Sequence, residues 1–319
     1  MDMKQLGFAT AFADPQLGSN KKLEEIDRLI DWSALEALAQ RVRPGTDGRP
    51  PYDALAMLKA LYLQRLYDLS DPALEEALRD RLSFRAFCGF ALEDRTPDET
   101  TLLRFRHDAA RGGVLEDGFA VVNGQLDAQG LVLRQGTMMD ASIIRAQRQP
   151  PPMSSGRGAV NAQEPDAGWT GRGGKTVLGY KAHVGVDQGS GLVRRVVVTS
   201  ARVYESEVAD DLICGDERAV YGDRAYPLKA RRARLKSLGI KDRIMHRADK
   251  HHPTITGWRA RWNRLVARRR APVEAVFSAM KRLYGLARAR SPCLAYVAVD
   301  IFAFATIYNL RRAAILTAA

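Results

Sequence analysis

Thr137-Met138-Met139-Asp140-Ala141-Ser142-Ile143-Ile144 is an apolar run with one carboxylate set into it. Its length and apolar content predict a strand over 136–144. A carboxylate inside an apolar strand is costly unless it has a partner, and a divalent cation is the usual one. A second run, Ala219-Val220-Tyr221-Gly222-Asp223, predicts a strand that ends in another Asp. A third acid, Glu274, stands near the start of a strongly amphipathic helix, behind Arg268-Arg269-Arg270. Two strand-borne Asp and one helix-borne Glu among Arg and Lys point to metal-dependent chemistry on a polyanion. Two unit charges about 4 Å apart repel by about 4 kcal/mol at an effective dielectric of 20, so such a cluster needs cations. Mg²⁺ takes oxygen ligands, and a pair of ions can activate a water or a 3′-hydroxyl and stabilise the departing oxygen of a phosphoryl displacement.

The chain around these acids reads as α+β. Gly179–Asp187 and Leu192–Thr199 predict a hairpin across Gln188-Gly189-Ser190-Gly191. A helix fits 205–214, a basic helix 228–238 stopped by Gly239, and a strand 241–246. The order β-β-β-α-β-α-β-α is that of a sheet flanked by helices. The polar, Gly/Pro-rich stretch Gln147–Gly174 predicts a mobile loop that orders on DNA. From Pro272 the residues Val273, Val276, Phe277, Met280, Leu283 and Tyr284 form one helical stripe. Glu274 and Lys281 share a face beside that stripe, and Arg270 joins them if the helix starts early, which Pro272 leaves open.

From about 20 to 128 the chain reads as helical, after a loosely ordered start. Ser33-x-x-Glu36 has the form of a capping box, as does Thr96-Pro97-Asp98-Glu99. Asp71-Pro72 restarts a helix after the short turn Asp68–Asp71, with Asp as cap. The segment suits either a helix-turn-helix-like unit or a plain bundle. The expected domains are therefore 1–128, helical, and 129–319, the sheet with its helices.

Of 319 residues, 49 are Lys or Arg and 37 Asp or Glu, a net charge of +12. From Arg224 to Arg290 there are 20 basic residues against three acids, so that segment carries +17. A localised basic block is the footprint of nucleic-acid binding, with a solvated face as the alternative. Cys88, Cys214 and Cys293 show no metal-ligand spacing and read as reduced thiols of a cytoplasmic protein. No cleavable apolar stretch is evident at the N-terminus. The most apolar run, Cys293–Tyr308, has 16 residues and reads as a buried helix, since a bilayer span needs about 20.

The chain resembles the DDE transposases of bacterial insertion sequences, most closely the insertion-sequence-five family. Gly136–Ile144 matches the block of the first acid and Tyr221-Gly222-Asp223-Arg224-Ala225-Tyr226 that of the second. Asn263-Arg264 followed by Arg270-x₃-Glu274-x₆-Lys281 matches the third. Gly179–Val184, Thr199–Ser206 and the helical region from about Asp31 to His107 also resemble the family. The resemblance implies an RNase H-like core with a mixed five-stranded sheet, preceded by an all-helical N-terminal domain that binds transposon ends and oligomerises. It implies that Asp140, Asp223 and Glu274 are catalytic and hold two Mg²⁺ ions, with Mn²⁺ able to substitute. Arg270 and Lys281 would position phosphates, and Lys181, Arg264, Arg268 and Arg269 would contact the DNA backbone. The partners implied are double-stranded DNA, as transposon end and target, and a second copy of the chain or more on DNA. No membrane is involved, and the setting is the nucleoid-associated cytoplasm of a bacterium. Related transposases often carry a Tyr three residues before the motif's Arg, where this chain has Ala267. Only 51 residues separate Asp223 from Glu274, too few for a large inserted β-domain.

A nuclease of the same fold that never transfers strands, and a non-catalytic DNA-binding protein, are the alternatives. His183, mid-strand, reads as a hydrogen-bonded sheet histidine, with Lys181 on the same face. His246, His251 and His252 show no zinc pattern. Trp258 and Trp262 read as core anchors rather than base-stacking platforms.

Overall fold

The structure, a computed structural model, describes residues 18–42, 51–148, 161–172, 175–248 and 253–318. Half of the expected mobile loop, His251, His252, the 43–50 break and the first 17 residues lie outside the described residues. Two compact units are present: residues up to Gln129 together with those from Phe302 onward, and Gly130–Ile301.

The first unit is built of helices among the described residues: α1 (Lys21–Leu29), α2 (Ser33–Ala39), α3 (Ala54–Leu66), α4 (Asp71–Asp80), α5 (Leu82–Cys88), α6 (Glu99–Arg111) and α7 (Val114–Ala128). Leu35, Leu58, Leu63, Phe84, Leu102 and Val122 are buried in it. Arg106 ties three helices together through Gln64 Oε1 at 2.7 Å and Asp71. Helix starts differ from the capping signals by one or two residues. Asp31, not Ser33, supplies the carboxylate at the start of α2, accepting from the Ser33 N–H at 2.9 Å. Ser70 rather than Asp71 caps α4, and Asp98 rather than Thr96 caps α6, accepting from the Thr101 N–H at 2.7 Å. At α4 and α6 the capping residue, Ser70 and Asp98, has extended backbone.

The second unit carries a mixed sheet: β1 (Thr137–Arg145), β2 (Gly168–Arg172), β3 (Lys175–Asp187), β4 (Val193–Ser200), β5 (Ala219–Gly222) and β6 (Lys241–Ile244). Among the described residues the sheet has six strands where five were expected. The extra one, β2, lies in the stretch read as loop and pairs antiparallel with the first residues of β3. Between β4 and β5 come a short helix, α8 (Glu205–Val208), and a 3₁₀ turn, Ala209–Leu212, in place of one helix over 205–214. The remaining helices are α9 (Lys229–Ser237), α10 (Gly257–Arg270), α11 (Val273–Arg282) and α12 (Leu294–Ala318).

Strand β3 runs antiparallel to β1 on one side and to β2 and β4 on the other. β1, β5 and β6 are mutually parallel. Alternation along the strands sends Met139, Val220 and Ile244 into an apolar cluster with Leu212, Tyr226 and Leu235. The opposite face of β5 presents Ala219 and Tyr221 beside Trp262 and Val266 of α10. Helices thus cover both faces of the parallel half of the sheet. Helix α12 is apolar and long enough to cross a bilayer, but 67% of its most apolar stretch is buried within the protein. Its Phe302 ring lies 5.9 Å from Phe119.

Candidate active site

Sheet register brings the first two acids together. In the parallel β1–β5 pair Thr137 stands opposite Val220. Three residues further along each strand lie Asp140 and Asp223, so continuing the register puts them side by side, on strands about 4.8 Å apart. Pleating turns Asp140 away from the Met139 cluster, toward the α10 face. Asp223 follows the last residue of β5 in a tight turn, where its Oδ1 accepts from the Ala225 N–H at 2.7 Å. The turn folds Tyr226 back over Gly222, and a side chain at 222 would meet the Tyr226 Cβ at 3.1 Å.

The third acid arrives on α11. Val273, Val276, Phe277 and Met280 bury its apolar stripe, leaving Glu274 exposed. Leu283, expected on that stripe, is 61% exposed because the helix has ended at Arg282. Arg270 does not belong to the Glu274 helix; it is the last residue of α10, and Ala271-Pro272 separates the two. It still reaches the site, with Nη1 2.5 Å from Asp140 Oδ2.

Asp140, Asp223 and Glu274 line one cleft of about 620 Å³, with Lys181, Glu205, Arg270, Lys281 and Arg282. Thr170 and Gly171 of β2 form part of its wall. Burial pushes the Asp140 carboxyl above the ordinary range; the Arg270 guanidinium and the Ala141 N–H oppose this, and the Asp223 charge adds to it. The Asp140 charge raises the Arg270 pKa in turn, against burial. Lys181 is buried, donates to the Val203 carbonyl at 2.9 Å and stands 3.8 Å from Glu205. The donor set is entirely oxygen, from several carboxylates, and one already accepts a cation in the form of Arg270. That set fits a hard divalent ion.

Not every expected contact residue reaches this cleft. Arg264, Arg268 and Arg269 are exposed on α10 and do not line it. Arg269 lines a second cleft of about 520 Å³ with Arg218, Lys241, Arg243, Tyr221 and Trp262. Trp258 is no core anchor: it is 63% exposed, its ring packed edge-on 5.0 Å from His246. Trp262 is half-buried beneath the Arg243 guanidinium, 4.8 Å from its ring. His183 is buried and its Nε2 lies 3.0 Å from the Thr199 hydroxyl. Glu205 is the cleft residue that the acid pattern did not single out. It sits in the polar segment after β4, where sequence alone does not distinguish it from Glu207.

Carboxylates converging beside Lys and Arg side chains equip a protein for metal-dependent phosphoryl transfer on a polyanion. Residues 133–310 match the family described as Transposase DDE domain, and residues 12–108 match Transposase domain (DUF772). The first match covers more than half of the chain, which belongs to the DDE transposases. It is an enzyme that cleaves DNA and transfers strands in a metal-dependent reaction. No solved structure matches the chain significantly.

Proposed function

We propose that Asp140, Asp223 and Glu274 are the catalytic carboxylates of this transposase and hold two Mg²⁺ ions, for which Mn²⁺ can substitute. The observation that carries this reading is that three acids spread over 134 residues of sequence line a single cleft, with Arg270 already paired to one of them. The bound ions would supply an activated water or 3′-hydroxyl and neutralise charge on the departing oxygen. Arg270 and Lys281 hold the substrate phosphates, Arg270 while neutralising Asp140. Lys181, anchored under the cleft, keeps a positive charge beneath the acids. Arg264, Arg268 and Arg269 contact the duplex backbone outside the cleft.

The catalytic unit is an RNase H-like core, a reading supported by the strand order β4-β3-β1-β5-β6 with only β3 antiparallel to its neighbours. The N-terminal helices recognise transposon ends and support oligomerisation, and two copies or more act on DNA because two ends must be joined. The motif blocks favour the insertion-sequence-five family and a nucleoid-associated setting in a bacterial cytoplasm. Incubation with labelled element-end DNA and Mg²⁺, scored for nicking and joining, tests the assignment. Asp223→Asn should lose both products and keep DNA binding; a variant that still cuts would overturn it.

A further inference from the structure

The cleft holds a fourth carboxylate that the triad does not account for. Glu205 opens α8, directly after the segment that leaves β4, and its side chain lines the same wall as Asp140, Asp223 and Glu274. It does not cap its helix, and its ion pair with Lys181 is a long one. Glu207, two residues on, accepts the Tyr204 N–H at 3.2 Å and caps the helix. Lys181 does not depend on it either, being hydrogen-bonded to the Val203 carbonyl at 2.9 Å with Glu205 further off at 3.8 Å. Glu205 is one-quarter exposed; burial raises its pKa, the Lys181 charge opposes this, and the Asp223 and Asp140 charges add to it, so its carboxylate stands among the acids with a lysine beside it.

A second, independent feature points the same way. Tyr226 is fully buried, and its hydroxyl has no hydrogen-bond partner. The charged groups it feels most are Glu205, Asp140 and Asp223. A buried hydroxyl left unsatisfied is unfavourable by about 1–3 kcal/mol, and such groups are rare without a reason. The ring belongs to the apolar cluster behind the cleft and its hydroxyl lies within electrostatic reach of these carboxylates, so a rearrangement that draws one of their oxygens toward it gives this donor an acceptor. Hydrogen bonds of that kind commonly orient metal-binding carboxylates.

We propose that Glu205 is a fourth cation-binding carboxylate of the cleft, adding its oxygen to those of Asp140, Asp223 and Glu274, with the Tyr226 hydroxyl as its orienting donor. The proposal rests on the reading of the triad given above. Calorimetric titration of the full-length protein with Mn²⁺ tests it in three forms: wild type, Glu205→Gln and Asp223→Asn, each with a metal-free melting curve. Glu205→Gln should weaken Mn²⁺ binding by about 10–100-fold, the range seen when groups around a metal site are removed. Its metal-free melting temperature should stay close to that of wild type, because the repulsion from Asp223 and Asp140 that is relieved offsets the lost 3.8 Å pair with Lys181. Binding within twofold of wild type, while Asp223→Asn loses it, would overturn the proposal and leave Glu205 a counter-ion of Lys181. Unaltered binding in both variants would overturn the triad reading and this proposal with it. If Glu205→Gln does not fold, Glu205→Asp keeps the charge near Lys181 and withdraws the oxygen by one methylene. Weaker Mn²⁺ binding by that variant supports the proposal, and wild-type binding overturns it.

Discussion

Among the described residues the second unit carries two clefts of similar size, about 620 and about 520 Å³, that set the same kind of cation in opposite surroundings. The first is lined by Asp140, Glu205, Asp223 and Glu274 against Lys181, Arg270, Lys281 and Arg282, so its formal charges cancel. The second is lined by Arg218, Lys241, Arg243 and Arg269 with no acid at all. Consecutive residues at the end of α10 divide between them, Arg269 to the second and Arg270 to the first. A helix turns by about 100° per residue, which is enough to send neighbouring side chains to different surfaces. The Arg270 charge is committed to Asp140 at 2.5 Å, whereas Arg269 is exposed to solvent. A neutral cleft has little pull on a phosphodiester until divalent ions enter it. An acid-free cleft attracts the DNA backbone with or without metal. Binding and chemistry should therefore separate experimentally.

The strongest attempt to break that separation is Asp223→Asn. Cleavage of end DNA should fall by at least about 10³-fold, or about 4 kcal/mol of transition-state stabilisation. Affinity for the same DNA in metal-free buffer should stay at the wild-type value, read by fluorescence anisotropy. Joint loss of both would mean that the clefts do not act independently. Next in size is the contrast between the two arginines. Arg270→Ala strips a mostly buried carboxylate of its partner and should destabilise the metal-free protein by about 3–5 kcal/mol in urea unfolding, with Mg²⁺ restoring part of it. Arg269→Ala, at an exposed site, should stay within about 0.5 kcal/mol of wild type. Equal effects from the two would contradict the division.

Legibility in the sequence followed the same line. The Asp140 and Asp223 strands were readable because an acid at the end of, or inside, an apolar run is unusual enough to notice. Their meeting was not, since it depends on parallel pairing of strands about 80 residues apart. β2 was hidden because Gly168-Trp169-Thr170-Gly171-Arg172 carries loop-like composition, and only its pairing with β3 makes it a strand. Arg270 was ambiguous because Pro272 permits either one helix or two, and the break does not prevent it from reaching Asp140. Glu205 was illegible for a different reason: two glutamates two residues apart look alike until one of them caps the helix. Charge density over 224–290 was legible, but its division between an acid-lined cleft and an acid-free one was not.

A pH series sharpens the contrast from the side of stability. Beneath the first cleft, burial and the charge of Lys181 lower the His183 pKa to about 4 from an ordinary 6.5. The unfolded chain takes up this proton near pH 6.5 and the folded one only near pH 4. His183 therefore contributes stability above 6.5 that is lost as pH falls toward 4, by up to about 3 kcal/mol. His183→Gln should flatten that acid limb in melting curves taken across the window. An unchanged limb would assign it to groups elsewhere.

The smallest expected effect falls on the second cleft. Lys241 and Arg269 are exposed and line it without an acid nearby in the cleft. If both lie against the backbone, each releases a counterion on binding, and the slope of log affinity against log salt should drop by about 0.9 for each one replaced by Ala. Lys281→Ala is the matching change in the first cleft. There the slope in metal-free buffer should hold, because acids already offset that charge, and should drop only once Mg²⁺ is present. Anisotropy titrations across a salt series, with and without Mg²⁺, compare the three variants directly. A metal-independent loss at Lys281 equal to that at Lys241 would show that the carboxylates do not screen the first cleft, and the two surfaces would then be one continuous DNA-binding face.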